Sequence, residues 1–316
     1  MADRPLQTPR ALYRFAVLTS CCTALLLMAG ALVTSNDAAD SVPDWPLAYG
    51  RLVPPLIGGI RYEYTHRVLA GIVSILTLIL AAWLAWSERR PLARRLGWTV
   101  LGLVVAQACL GGVRVLVGYP ALSATAHAIL AQVFFITVVG LTFYLSSWWQ
   151  SDLPELHDSG SPRLRSLAAW TTVVILVQLV LGAAFRHGAF GIDPHLAGAG
   201  VVTAMVVWTG VVAKKRFRQV RALRRATIVL HSFFGIQILL GFAAWWAVVA
   251  ARDAVQPTFT YVSLTVAHVL GGALTLAASV ILTLTSVRLI RPAVATAVDS
   301  LAIASPGEKS PQRAGV

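Results

Sequence analysis

Eight long apolar runs dominate this sequence of 316 residues. Each is close to the roughly 20 residues that an α-helix needs to cross the hydrocarbon core of a membrane. Only 12% of the residues are charged, whereas a soluble domain carries about 25%. The sequence therefore predicts an all-α integral membrane protein with eight transmembrane helices. The runs begin near Phe15, His66, Gly97, Ser123, Leu167, His195, Ala226 and Ser263.

The net charge of +13 comes from basic residues that cluster on one side of the predicted membrane. When the connections are assigned alternately to the two sides, all but six of the 26 basic residues lie on the side of the termini. Because Lys and Arg accumulate in cytoplasmic loops, both termini are predicted to be cytoplasmic, in a multi-pass protein of the inner (plasma) membrane. No nucleic-acid partner is expected. The six exceptions are Arg51, Arg61, Arg67, Arg114, Arg186 and Arg252.

The runs also form a repeated unit of four, which predicts two tandemly duplicated four-helix bundles. The N-terminal bundle is assigned to residues 1–150 and the C-terminal bundle to 167–291. A cytoplasmic linker at 151–166 joins them, and a disordered tail at 292–316 follows. The repeated elements are Gln107-Ala-Cys-Leu-Gly111, Gln178-Leu-Val-Leu-Gly182 and Gln237-Ile-Leu-Leu-Gly241, together with Ala126-His127 and Ala267-His268.

Four of the seven histidines lie near the start of an even-numbered run, on the outer side of the membrane. A single intramembrane histidine is more often a packing residue than a ligand, although such residues are functional candidates. Inward-facing histidines on two helices of a four-helix bundle can hold a metal ion or a haem, and imidazole suits iron, copper and zinc. Two pairs therefore predict two bis-histidine sites. The four residues are His66, His127, His195 and His268; His187 stays open as an alternative to His195.

Small residues beside the histidines favour haem over a bare metal ion. A macrocycle needs flat open space next to its axial ligand, but small residues also let membrane helices approach closely. A zinc or copper site would want further ligands, and no Cys or Met accompanies these histidines. The small residues are Ala70, Ala131, Ala199 and Gly272 at position i+4, with Gly198 and Gly271 at i+3.

The outer side also carries candidate partners for the two propionates of a haem, because arginine pairs carboxylates through two parallel hydrogen bonds. These candidates are Arg67, Arg114 and Arg186, and ordinary interfacial placement of their side chains is the alternative. The long first outer loop contains Pro43-Asp44-Trp45-Pro46. We predict that this loop is a lid over the substrate site, with interfacial anchoring as the alternative role of Trp45.

One half carries an acid that the other half lacks. Glu63 precedes His66 by three residues and shares its helical face, whereas Ile192 stands at the matching position before His195. Glu63 is a candidate for proton transfer or for stabilising developing charge; the alternative is a first-turn carboxylate favoured by the helix dipole. The N-terminal haem is therefore predicted to be transformed and the C-terminal haem to carry electrons.

Taken together, these residues resemble the heme A synthases of the aa3-type oxidase assembly pathway. The resemblance extends over roughly Ala11 to Arg291, and the element Glu63-Tyr-Thr-His66-Arg67, combined with three further histidines at helix starts, is its most specific part. It implies a substrate haem between His66 and His127 and a haem b between His195 and His268. It also implies oxidation of a ring methyl group of heme O to a formyl group through a hydroxymethyl intermediate, giving heme A, with Glu63 as the acidic residue.

The resemblance implies several partners as well. They are heme O, the haem O synthase that supplies it, membrane lipid and an electron donor. The identity of the donor stays open, and so does the formation of a homo-oligomer. Some members of the family have a cysteine pair in an outer loop, whereas the outer loops here contain no cysteine.

Two other functions stay open from the residues alone. A dihaem b-type cytochrome would take electrons from quinol without modifying its haems, and Glu63 would then accept a quinol proton. A haem-binding or haem-transport scaffold would not need Glu63 at all. The leading prediction is a haem-dependent membrane oxidoreductase of heme A biosynthesis.

Overall fold

The computed structural model describes residues 8–117 and 120–291, and these residues form helices without a β-strand. Eight of the helices are long and apolar enough to cross a membrane. This confirms the predicted all-α fold with eight spans, which makes the chain a multi-pass membrane protein. The helices are α1 (Arg10–Ser35), α2 (Ile60–Ser87), α3 (Pro91–Val117), α4 (Pro120–Leu145), the short α5 (Ser147–Gln150), α6 (Leu164–Arg186), α7 (Asp193–Phe217), α8 (Arg221–Ala250) and α9 (Phe259–Leu289).

The helices begin two to six residues before the predicted apolar runs. Most of their first turns contain charged or hydroxyl side chains, which lie outside the hydrophobic stretch. Local sequence explains several of these starts. Pro91 opens α3, and Pro194 lies in the first turn of α7, where a missing backbone N–H costs nothing. The Thr258 side chain caps α9 by accepting a hydrogen bond from the backbone N–H of Tyr261. As a result, each of the four candidate histidines lies within the first ten residues of its helix.

The spans pack in two groups of four with the same order of neighbours. In the first group α1 contacts α2, α2 contacts α3, α3 contacts α4, and α4 returns to α1. The helices α6, α7, α8 and α9 repeat this order, with α9 returning to α6. The two groups meet through α1, α4, α6 and α9.

Hydroxyl side chains connect the helices inside the apolar core, as is common where backbones pack closely in membranes. Ser20 on α1 lies 2.9 Å from Thr142 on α4, and Thr171 on α6 lies 2.7 Å from Thr209 on α7. Ser35 on α1 lies 2.8 Å from Thr265 on α9. The last of these contacts joins the two groups.

The connection between the groups packs against the end of α9. The backbone N–H of Leu156 donates to the Leu289 carbonyl at 2.8 Å, and the N–H of Arg291 donates to the Leu156 carbonyl at 3.0 Å. Asp158 is buried and pairs with Arg216. Helix α6 begins at Leu164, inside the predicted linker. The predicted disordered tail at 292–316 lies outside the described residues.

Candidate functional site

The four candidate histidines share one structural setting. They lie on α2, α4, α7 and α9, which run in the same direction because consecutive spans alternate. Each imidazole packs against a glycine on the preceding span, so that a methyl group added to that glycine would contact Cε1 of the ring. The resulting distances are 3.2 Å for Gly30 and His66, 3.1 Å for Gly111 and His127, 2.8 Å for Gly182 and His195, and 3.2 Å for Gly241 and His268.

The histidines of each group lie near each other. The ring centroids of His195 and His268 are 6.2 Å apart, with their planes at 87°. Two imidazoles that share one metal ion through bonds of about 2 Å have centroids about 6 Å apart. In the other group, His66 and His127 lie within electrostatic reach of each other. The C-terminal pair therefore has the separation that a bis-histidine metal centre requires.

The described residues contain no cluster of three or more His, Cys, Asp or Glu side chains arranged to hold a metal ion. A tetrahedral zinc site needs four ligands, or three when water completes it. Haem iron needs only axial ligands from the protein, because the macrocycle supplies the other four. The donor set therefore fits haem and does not fit zinc. The Nδ1 atoms of His66 and His127 are buried without a hydrogen-bond partner among these residues.

A glutamine four residues before the glycine accompanies three of the histidines. Gln178 Nε2 lies 3.1 Å from His195 Nδ1 and donates to the His195 carbonyl at 2.8 Å. Gln237 Nε2 lies 3.1 Å from His268 Nδ1. Gln107 reaches only the carbonyl of His127, at 3.0 Å. The repeated Gln-x-x-x-Gly spacing in the sequence was the signal for these contacts, and its role becomes visible only in the structure.

The glycines after His195 and His268 make room for these amides rather than for a macrocycle. A methyl group at Gly198 would overlap Gln178 Oε1, and one at Gly271 would overlap Gln237 Oε1. A methyl group at Gly272 would lie 2.9 Å from Leu179 Cδ2. The interpretation of these three small residues as open space was therefore wrong, because side chains from neighbouring helices occupy it.

Glu63 is 5% exposed and forms the centre of a polar network at the start of α2. Its Oε1 accepts a hydrogen bond from Arg67 at 2.6 Å, and its Oε2 accepts one from the backbone N–H of Val42 at 3.0 Å. Arg67 also donates to the carbonyls of Asp44, at 2.7 Å, and Leu47, at 2.9 Å. The candidate acid and the neighbouring arginine thus tie the first outer loop to the helix that carries His66.

Two further candidates, Arg114 and Trp45, also contact or belong to this loop. Arg114 donates to the Ala39 carbonyl at 3.0 Å and pairs with the exposed Asp40 at 3.4 Å. The indole of Trp45 lies on Gly112, where a methyl group would be 2.9 Å from Cδ2. Gly112 follows the glycine that contacts His127, so the loop covers the N-terminal pair from α3 to α2.

The carboxylate of Asp44 fixes the turn after Trp45. It accepts hydrogen bonds from the backbone N–H groups of Gly50 and Tyr49, each at 2.7 Å. The bond from Gly50, with a smaller contribution from Tyr49, lowers the pKa of Asp44. Tyr49 and Gly50 both have positive φ, a tight turn that these hydrogen bonds stabilise. The loop around Trp45 is therefore internally braced.

Arg186, the third predicted propionate partner, lies at the junction of the two groups. It donates to the Ala31 carbonyl at 3.1 Å and to Ser35 Oγ at 2.6 Å, both on α1. No ion pair among the described residues involves this guanidinium, so a partly buried positive charge faces neutral oxygens. Arg186 is thus the candidate best placed to receive a negative group from a ligand.

The other histidines differ from the four candidates. Burial lowers the pKa of His187 to about 4, and the charges of Arg186 and Arg114 contribute to the shift. His231 lies against Gly210, and its Nδ1 is 2.8 Å from the Thr227 carbonyl, as expected for a packing residue. His157 is exposed in the connection between the groups.

Residues 60–193 match the model of the cytochrome oxidase assembly protein family COX15-CtaA. The match covers less than half of the chain. The matched region contains Glu63, His66, Arg67 and His127, whereas His195 and His268 lie beyond it. The resemblance inferred from these motifs is therefore confirmed.

Curated relatives in this family carry the name heme A synthase. The chain is 34% identical to the heme A synthase of Halalkalibacterium halodurans over 137 residues, which is 42% of this chain and 43% of the relative. It is 27% identical to that of Lysinibacillus sphaericus over 190 residues, 58% and 60% of the two chains, and 31% identical to that of Symbiobacterium thermophilum over 179 residues, 52% and 56%. The chain thus spans about half of the length of the relatives that it matches. In such bacteria a multi-pass membrane protein of this family lies in the plasma membrane.

Proposed function

We propose that this protein is a heme A synthase, an oxidoreductase that converts a ring methyl group of heme O into a formyl group through a hydroxymethyl intermediate. The observation that carries the proposal is the equivalent placement of four histidines, each held against a glycine of the preceding span. The match of residues 60–193 to the family model and the names of the relatives support it. The donor set adds support because it suits haem iron.

The architecture that suits this function is a tandem duplication of two four-helix bundles with both termini in the cytoplasm. The repeated order of helix neighbours and the repeated histidine–glycine contact support the duplication. The distribution of basic residues supports the orientation. On this assignment, residues 1–150 hold the substrate haem, 151–166 form the linker, and 167–291 hold haem b.

In the N-terminal bundle, His66 and His127 would hold heme O. Glu63 lies one turn before His66 and is ion-paired with Arg67. A buried carboxylate in this position can stabilise positive charge that develops near the ring, or take a proton when its pairing with Arg67 opens. Loop residues around Trp45 exclude water from this side, because they lie between α2 and α3.

In the C-terminal bundle, His195 and His268 would hold a haem b. When bound, this haem supplies one-electron transfer to the N-terminal bundle. Ile192 stands where the other bundle has Glu63, so this half lacks the equivalent acid. An electron-transfer site needs no such acid.

Three arginines would pair the propionates. Arg67 and Arg114 share their donors with the outer loop, and Arg186 has no anionic partner among the described residues. A propionate near Arg186 would give this guanidinium a direct ion pair, which none of the described residues provides. The proposed partners are heme O, the haem O synthase that supplies it, lipid and an electron donor.

Pigment analysis tests the proposed function. The chain is expressed with a source of heme O, and the extracted haems are separated by chromatography. We expect heme A from the wild type, whereas Glu63→Ala accumulates heme O or its hydroxylated product and keeps haem b. Glu88→Ala is a matched control, because Glu88 is equally buried and paired with an arginine on the opposite side of the bundle.

The outcomes separate the alternatives. A dihaem cytochrome or a haem scaffold would leave heme O unconverted in the wild type, which would reject the proposed activity. Unchanged heme A production by Glu63→Ala would remove the proposed role of this residue. Loss of both haems in this variant would make Glu63 structural.

A further inference from the structure

The two histidine pairs differ in how their Nδ1 atoms are supported. In the C-terminal pair, the amide groups of Gln178 and Gln237 lie 3.1 Å from Nδ1 of His195 and His268. In the N-terminal pair, the Nδ1 atoms of His66 and His127 have no hydrogen-bond partner among the described residues. The pairs therefore share their position in the fold but not their support.

Sequence explains why the support is confined to one half. The amides of Gln178 and Gln237 fit because Gly198 and Gly271 stand three residues after the histidines. The corresponding positions after His66 and His127 are occupied by Leu69 and Leu130.

The glutamine position itself also differs between the halves. The residue four before the contacting glycine is Leu26 in α1, so His66 has the backbone of this position beside its ring, as the other three histidines have, but no amide. Gln107 keeps the glutamine in α3, but its side chain reaches only the His127 carbonyl. The N-terminal half therefore lacks either the amide or the space for it.

Hydrogen bonds to the ring nitrogen that does not bind the metal control how an imidazole binds iron. A neutral histidine that binds a metal through Nε2 carries its proton on Nδ1, and an acceptor for that proton fixes the ring and strengthens the ligand. A glutamine amide offers this acceptor when its oxygen faces the ring, and its oxygen and nitrogen exchange places by a half-turn of the group. Gln237 can turn its unpaired Oε1 toward His268, because its Nε2 bonds no other group among the described residues. Gln178 holds His195 differently, because its Nε2 also donates to the His195 carbonyl and the amide cannot turn without losing that hydrogen bond.

We propose that Gln178 and Gln237 are positioning residues that hold His195 and His268 on a permanently bound haem, whereas His66 and His127, whose Nδ1 atoms no amide reaches, form an exchangeable pair through which substrate haem enters and product leaves. This inference rests on the proposed function. The amide contacts, and the glycines that leave room for them, would then make one site a cofactor site and the other a substrate site.

Haem exchange tests the difference between the two sites. Purified protein that contains haem b and heme O is mixed with excess apomyoglobin, and the transfer of each haem is followed. Loss of the hydrogen bonds that hold a metal-binding histidine lowers metal affinity by roughly 10–100-fold. We therefore expect heme O to leave at least about tenfold faster than haem b. Equal rates, or faster release of haem b, would overturn the proposal.

Glutamine variants test the role of the amide. Gln178→Leu and Gln237→Leu are expected to speed haem b transfer by about tenfold or more. Gln132→Leu is the control, since Gln132 is also buried and no hydrogen bond among the described residues joins it to a histidine. Gly271→Ala provides a second route, because the added methyl group displaces the Gln237 amide without removing it.

The midpoint potential of haem b distinguishes positioning from mere packing. Gln237→Leu removes the acceptor for the Nδ1 proton and should shift the potential upward, whereas Gln237→Glu provides a stronger acceptor and should shift it downward. Shifts in the same direction, or no shift in either variant, would show that the amide only packs the helices. A wild-type preparation without bound haem would instead reject the proposed function itself.

Discussion

At the scale of single residues, the sequence indicated four candidate histidines but not what surrounds them. His66, His127, His195 and His268 could be predicted because ionisable residues are rare inside apolar spans. Their glycine partners could not, since contacts between neighbouring helices depend on rotation about each helix axis. Gly30 in particular carries no recognisable motif, because Leu26 replaces the glutamine that marks the other three helices.

The contacts between glycines and histidines predict a graded loss of haem binding. Gly182→Ala would place a methyl group 2.8 Å from His195 Cε1, closer than a normal contact, whereas Gly241→Ala would place one 3.2 Å from His268 Cε1. Overpacking of this kind costs about 1–3 kcal/mol, and here the ring gives way rather than the backbone. We expect clearly weaker haem b binding in Gly182→Ala and a smaller loss in Gly241→Ala, measured by haem titration.

Gly235→Ala is the control for these variants, because open space surrounds that glycine on the same helix as Gly241. Equal haem affinity in Gly182→Ala and Gly235→Ala would show that the histidine does not need its present position.

His187 should make the free energy of unfolding depend on pH. Its pKa is about 4 in the folded protein, mainly through burial, against an ordinary value of 6.5. Between these values the unfolded chain binds a proton that the folded chain does not, so the free energy of unfolding falls as the pH is lowered through this window. His187→Gln should flatten the fall in melting temperature measured in detergent across this range.

His157→Gln is the comparison variant, because it removes an imidazole that is exposed in the connection between the groups. An unchanged profile in His187→Gln would contradict the burial of this imidazole in solution.

At the scale of elements, the first outer loop shows the limits of prediction most clearly. The proline-rich sequence indicated a rigid cover over the site. The three loop carbonyls that bind Arg67 could not be foreseen, because they are separated from it by 20 to 25 residues. The observed network gives Glu63 a second role, since the same carboxylate that lies beside His66 also holds the Val42 amide.

We expect a substitution of Arg67 to loosen the first outer loop. Arg67→Lys keeps the positive charge but loses the planar fork that reaches Val42, Asp44 and Leu47. Hydrogen bonds from charged groups contribute about 1.5–3 kcal/mol each, so hydrogen exchange at the Val42 amide should accelerate by roughly tenfold or more. Mass spectrometry of the loop peptide measures this rate.

Arg61→Lys is the matched control, because Arg61 is exposed and, within the part of the chain that the structure describes, donates only to the Tyr62 hydroxyl. Loop exchange that is equally fast in the two variants, or unchanged in Arg67→Lys, would mean that Arg67 does not hold the loop.

At the scale of the whole molecule, hydropathy predicted the eight spans because length and apolarity suffice to define them. The repeat of four was visible in the Gln-x-x-x-Gly elements, and the order of helix contacts repeats in the same way. The junction between the groups was not predictable. Arg186 on α6 contacts Ser35 on α1, and Ser35 contacts Thr265 on α9, across separations of 151 and 230 residues.

This junction places the partly buried Arg186 against α1, the helix whose Gly30 contacts His66. The two groups of helices have a similar order, but their histidine pairs have different surroundings. One site carries the acid and the braced loop, and the other carries the glutamine-supported histidines. Electron transfer from one haem to the other would cross this interface.

The haem content of four single variants tests the central claim most directly. Each of His66→Ala, His127→Ala, His195→Ala and His268→Ala is purified from cells that supply heme O, and its spectrum and extracted haems are recorded. The first two should lose heme O and heme A but retain low-spin haem b, and the last two should lose haem b. If every variant kept both haems, or each lost both together, the assignment of one haem to each histidine pair would be contradicted.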